Sequence, residues 1–145
     1  MPSAPSGPSD KLVTPLWIAH HYPEDYRRCL VVGKTRVCCR CIVLYPIAIA
    51  VMVLALRGIR WSHSLDPWLL ALLPLPSVTE FVMEHLGLIT YRQRRQIMLT
   101  IPLAAALGVG FARYLHRPTD PLFWSMVAIY CGVCILATAI GSRRR

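Results

Sequence analysis

Four apolar blocks divide the chain, separated by short polar connections that carry most of its charge. The first runs from about Ile42 to Leu56 and the second from Asp66 to about Ile89. The third covers Gln96 to Leu115 and the fourth Pro121 to Ile140. At 1.5 Å per residue the 15-residue first block covers about 22 Å of a hydrocarbon core about 30 Å thick. It is therefore expected to extend back towards Cys38. The pattern predicts an all-α fold, a polytopic membrane protein of four transmembrane helices behind a short amino-terminal Cys/His segment. Its expected layout is a disordered tail over 1–14, the Cys/His segment over 15–41 and the four-helix bundle over 42–145.

Local signals refine these elements. Asp66-Pro67 and Asp120-Pro121 each put an N-cap acceptor before a proline at the first helical position, where its missing N–H costs nothing. Pro74 and Pro76 are expected to kink the second helix. Gly141 reads as a helix stop. Gly108 and Gly110, with Ala104 to Ala106, give the third helix a small-residue face for close packing.

Composition agrees with a lipid solvent. Apolar residues make up 55% of the chain and charged residues 16%, against about 25% in soluble domains. The net charge of +9 would suggest nucleic acid on a soluble domain. Here the basic residues lie between the apolar blocks, with no basic helix face or aromatic-interleaved patch, so nucleic-acid binding is excluded. Met1 to Lys11 is Pro/Ser/Gly-rich, without the apolar core of a secretory signal and unlike a transit peptide. In the four-helix arrangement twelve Lys and Arg residues fall on the side of the termini and four on the other. The positive-inside rule then places both termini in the cytosol and the chain in the cell inner (plasma) membrane. Trp17, Trp61, Trp68 and Trp124 fall near block ends, as an interfacial belt expects.

Candidate chemistry gathers before the first block. His20-His21-Tyr22-Pro23 is followed by Cys29, Gly33 and Cys38-Cys39-Arg40-Cys41. Cys38 and Cys41 have the C-x-x-C spacing that lets two thiolates from one tight turn bind a tetrahedral ion. His20 and His21 are far enough upstream to fold back as the other ligands, with Cys29 and Cys39 as possible substitutes. Thiolate with imidazole favours zinc, with iron behind it. A cytosolic location disfavours a disulfide, and Arg36 and Arg40 are expected to lower the thiol pKa values. A redox-active dithiol and unpaired, acylated cysteines are the competing readings.

These residues carry a resemblance. His21-x-Pro23, a basic residue near Arg27, Gly33, Cys38-x-Arg40-Cys41 and Tyr45 resemble the signature of a family of small prokaryotic membrane proteins, the domain-of-unknown-function 2085 family. The similarity continues through Pro76 and Glu80 to Arg92–Arg95 and the glycines of the third block, roughly from Ala19 to Gly110. His20 stands where that family has Cys, Ile42-Val43 replaces its Thr-Gly, and Tyr26-Arg27-Arg28 departs from its Arg-Ser. The resemblance implies a membrane protein with a metal or thiol site, and no particular reaction.

Glu80 and Glu84 interrupt the second block at i, i+4, which puts both on one helix face. Either they point into the bundle as a proton-handling or metal-binding pair, or Glu84 and His85 lie solvated at the cytosolic boundary. Cys131-x-x-Cys134 in the fourth helix reads as core packing. His63 and His116 look like interfacial residues on the opposite side. Walker loop, dinucleotide fingerprint, H-E-x-x-H and nucleophile elbow are absent. The functional expectation is a cytosolic-face metal site of His20, His21, Cys38 and Cys41, structural or supporting a membrane-embedded reaction with Glu80 or Glu84 moving protons. The alternatives are an accessory subunit of a larger membrane complex and a thiol–disulfide oxidoreductase using Cys38 and Cys41. Partners are the lipid bilayer and other membrane proteins or further copies of the chain.

Overall fold

The computed structural model describes Tyr26 and residues 28–59 and 61–143. The chain divides into two compact units, 1–42 and 43–145.

In the first unit, strands β1 (Cys29–Val32) and β2 (Thr35–Cys38) form an antiparallel hairpin. The two-residue turn between them places Gly33 at φ 62°, the left-handed conformation that tight hairpin turns favour and that glycine adopts without steric cost. Cys29 lies opposite Cys38, and the Cys39 N–H donates to the Arg28 carbonyl at 3.2 Å, closing the ladder one residue further on. The hairpin corrects two expectations. The fold is mostly helical rather than all-α, and the first apolar helix does not extend back to Cys38. Helix α1 (Cys41–Leu56) begins only after β2 and a two-residue turn, because Leu30 to Cys38 satisfies its backbone as strands.

The second unit holds most of α1 and all later helices. A short 3₁₀ turn at His63–Leu65 leads into α2 (Asp66–Leu72), followed by α3 (Leu75–His85), α4 (Gln93–His116) and α5 (Pro121–Arg143). Pro74 and Pro76 break the second block into α2 and α3, as their missing N–H groups require. The Tyr130 hydroxyl of α5 donates to the Ala71 carbonyl beside this break. A neighbouring helix thereby supplies a donor where the regular ladder stops.

Among the described residues three stretches, His63–His85, Gln93–His116 and Pro121–Arg143, are long and apolar enough to cross a membrane, whereas α1 has 16 residues. On α5, Ile135 is 68% and Leu136 61% exposed, so these apolar side chains have no protein cover within the chain and suit a lipid surrounding.

Close packing follows the small residues. Ala104, Ala106, Gly108, Val109, Gly110 and Ala112 of α4 are buried. A Cβ on Gly108 would lie 2.6 Å from the Ala48 carbonyl oxygen of α1, so only glycine permits this approach. Gly141 corrects another expectation. It does not stop α5, which runs on to Arg143; instead, a Cβ there would clash with the His85 carbonyl oxygen. Gly141 is the point where the end of α5 meets the end of α3.

Candidate functional site

The cysteines before the first helix come together as the hairpin closes. Strand pairing brings Cys29 opposite Cys38 in a pair without mutual backbone hydrogen bonds, the arrangement in which cross-strand side chains approach most closely. Cys41, the first residue of α1, is hydrogen-bonded to the Cys38 thiol, and Cys39 and Cys29 are near enough to act on it electrostatically. Cys38 and Cys39 are buried, and none of the four is in a disulfide. Burial, followed by Cys38, pushes the Cys41 thiol up to about 11. This corrects the expectation that Arg36 and Arg40 lower the thiols: at Cys41, desolvation and neighbouring thiols prevail. The Arg36 guanidinium lies 4.7 Å from the centre of the Tyr26 ring.

His20 and His21, the other two expected metal ligands, lie outside the described residues. Among the described residues no group of three or more His, Cys, Asp or Glu side chains is arranged to hold a metal ion.

In the second unit Glu80 and Glu84 both lie on α3, but their environments differ. Glu80 is buried and accepts from Arg95 Nε of α4 at 2.8 Å, while Arg95 Nη2 donates to the Thr90 carbonyl at 2.7 Å. Arg95 thus ties α3 to the connection that follows it. Glu84 is half-buried on a helix that continues to His85, whose Nδ1 lies 2.8 Å from the Phe81 carbonyl oxygen. Cys131 is exposed and Cys134 half-buried, which corrects the core-packing reading of that pair. In a bilayer an apolar-facing thiol behaves as a small hydrophobe, so burial in protein is not required.

A further polar network was not expected as a unit. Arg113, in the last turn of α4, donates from Nε to Asp120 Oδ2 at 2.6 Å, from Nη2 to Asp120 Oδ1 at 3.1 Å and from Nη1 to Asp66 Oδ2 at 2.6 Å. Trp61 Nε1 donates to Asp66 Oδ1 at 2.9 Å, and His63 Nδ1 lies 3.2 Å from Asp66 Oδ2. Both carboxylates are almost fully buried, with side-chain exposures of 4% and 6%. Leu65, and not Asp66, stands at the N-cap of α2, and the Asp66 oxygens meet Trp61, His63 and Arg113 in this cluster, contrary to the expected N-cap. Asp120 does both, accepting from the backbone N–H groups of Leu122 and Phe123 as well as from Arg113. The Arg113 hydrogen bonds hold the Asp120 carboxyl below the usual carboxylate range. The sequence signal for this network was present: two acids before prolines and one arginine near a block end, all on one side of the predicted topology.

Comparison with protein-family models, curated proteins and solved structures finds no match. The resemblance to the domain-of-unknown-function 2085 family therefore stands on its quoted residues.

Proposed function

We propose that this is a four-helix integral membrane protein whose amino-terminal segment is fastened by a metal ion, zinc before iron. Cys38 and Cys41 would be its thiolate ligands, with His20 and His21 completing the set. The observation that carries the reading is the thiol contact between Cys38 and Cys41, where a strand gives way to a helix. A C-x-x-C pair at such a turn matches the donor chemistry of tetrahedral zinc. A bound cation would supply the positive charge that lets both thiols lose their protons. Cys41, held protonated by burial and its thiol neighbours, would gain most from it.

The site is read as structural. Glu80, paired with Arg95, serves packing. The cytosolic placement of both termini and the plasma-membrane location rest on the distribution of Lys and Arg. The thiol–disulfide alternative draws on the Cys29–Cys38 cross-strand pair, whereas Cys41, raised by burial and its thiol neighbours, would be a poor attacking group at neutral pH. An accessory role in a larger complex would use apolar surface such as that of α5.

Elemental analysis of detergent-purified protein, compared with a Cys38→Ser, Cys41→Ser double variant, tests the proposal. One zinc or iron per chain, lost in the variant, is the expected result. No metal in either form, together with a thiol count that changes reversibly between oxidant and reductant, would replace it with the redox reading.

A further inference from the structure

The proposed metal site leaves Cys29 unused, and the hairpin puts this residue directly against one of the two thiols the site needs. Register pairs Cys29 of β1 with Cys38 of β2. Counted from the two-residue turn, the closing pair Val32–Thr35 shares backbone hydrogen bonds, so Leu30–Val37 does too and Cys29–Cys38 does not. Cα atoms in such a pair lie about 4.5 Å apart, inside the roughly 4.4–6.8 Å that a disulfide spans. Side chains directly opposite on neighbouring strands also leave the same face of the hairpin. The Cys39 N–H bond to the Arg28 carbonyl, at 3.2 Å, holds the register on the far side of the pair. A disulfide can therefore close here without a change of strand pairing. Cys38 is also hydrogen-bonded to Cys41. It is thus the shared member of two pairs and serves one at a time, because a sulfur in a disulfide has no thiolate to give to a cation.

We propose that Cys29 and Cys38 form a thiol–disulfide switch on the metal site: their oxidation takes Cys38 from the ion and releases it. The switch rests on the proposed metal site and adds a means of regulating it. Burial sets the order of events. Cys38 is 6% exposed, whereas Cys29 is half-buried, so a small disulfide such as oxidised glutathione meets Cys29 first. The Cys29 sulfur, losing its proton, attacks one glutathione sulfur, and the other glutathione leaves as a thiolate. Cys38 then attacks the Cys29 sulfur of this mixed disulfide and expels the second glutathione. The two departing thiolates take up protons from Cys29 and from solvent. Two protein sulfurs are oxidised, one glutathione disulfide is reduced to two thiols, and the cation leaves with its charge unchanged. Cys41 takes no part in the exchange. In a reducing cytosol the pair stays open and the ion bound; an oxidising excursion closes the pair.

Zinc-loaded full chain in detergent, treated with oxidised glutathione, tests the proposal. Released zinc is read with a chromophoric chelator, and disulfides are mapped by peptide mass spectrometry. The expected result is one zinc released for each Cys29–Cys38 disulfide formed, and rebinding of zinc on reduction. Cys29→Ser should hold one zinc as the wild type does and release it about tenfold more slowly, since the exchange needs a second thiol to close. Cys38→Ser, informative without any metal, should stop at a glutathione adduct on Cys29. If a thermal melt shows Cys29→Ser to be unfolded, Cys29→Val, a better strand residue, takes its place. A map showing only Cys38–Cys41, a Cys29→Ser chain that releases zinc at the wild-type rate, or one that no longer binds zinc would each overturn the switch. A wild-type chain without zinc overturns the metal site and the regulatory step with it, while the map of the same sample still decides whether Cys29 and Cys38 close.

Discussion

A guanidinium presents five N–H donors in a fixed planar fork, and Arg113 spends three of them on two carboxylates from different helices. Lysine keeps the charge but has no such fork, so Arg113→Lys should lower the melting midpoint in detergent. Arg113→Met should lower it further, because it leaves Asp66 and Asp120 buried without their cation. Removing one partner of a buried pair costs about 3–5 kcal/mol. An Arg113→Met melt equal to the wild type would mean that the network bears no stability. Asp120 adds a pH dependence whose sign is fixed. Its carboxyl titrates below the usual range in the folded chain because Arg113 donates to it. Its stabilisation is therefore complete above the unfolded value of about 3.9 and drains away as the pH falls through the lower folded value. The melting midpoint should fall more steeply below about pH 4 in the wild type than in Asp120→Asn. Little of this was legible residue by residue. The Asp-Pro pairs announce helix starts, and a local reading assigns their carboxylates to caps. Only tertiary packing shows that Asp66 turns away to meet Arg113. The same holds for Cys41: its spacing from Cys38 is visible in the sequence, but its proton affinity depends on burial created by the hairpin.

At the scale of elements, the apolar blocks located every membrane-length stretch to within a few residues, and Pro74 with Pro76 located the break between α2 and α3. Lipid makes such blocks legible, since a spanning helix must be apolar over its whole length. The hairpin was not legible because two four-residue strands are too short for alternation to compete with an adjacent apolar run. The glycines were only partly so. Gly141 carries a stop signal in sequence, yet its role is to admit the His85 carbonyl. A graded series follows from these contacts. Gly141→Ala and Gly108→Ala each drive a methyl group to within 2.6 Å of a backbone oxygen and should destabilise, by about 1–3 kcal/mol as overpacked sites do. Gly132→Ala meets nothing within 4 Å and should be neutral or stabilising, by up to about 1 kcal/mol from helix propensity. Thermal melts of the three variants would separate them; equal midpoints would mean that the α1–α4 and α3–α5 approaches are not tight.

For the whole molecule the deciding element is α1. With 16 residues it spans about 24 Å, less than the hydrocarbon core, and length alone would let it lie along the surface. A crossing belongs to the proposed four-helix reading, and one close contact bears on it. Ala48, halfway along α1, sits against Gly108, near the middle of a helix long enough to cross, which puts the two at similar depth. The missing length is within what local thinning of the bilayer and snorkelling of Arg40 and Arg57 at the two ends can accommodate. Each further crossing reverses the side on which the chain emerges, so four crossings put both termini on one face and three put them on opposite faces. A chain tagged at both ends, treated with protease in right-side-out and inverted membrane vesicles, distinguishes the two. Both tags should survive in the first and be cut in the second. Tags cut from opposite faces would place α1 on the surface, and an amino-terminal tag cut in right-side-out vesicles would in addition move the cysteine cluster away from the cytosol. That outcome would also remove the reducing environment on which the metal reading depends, since Cys29 and Cys38 would then be placed to oxidise.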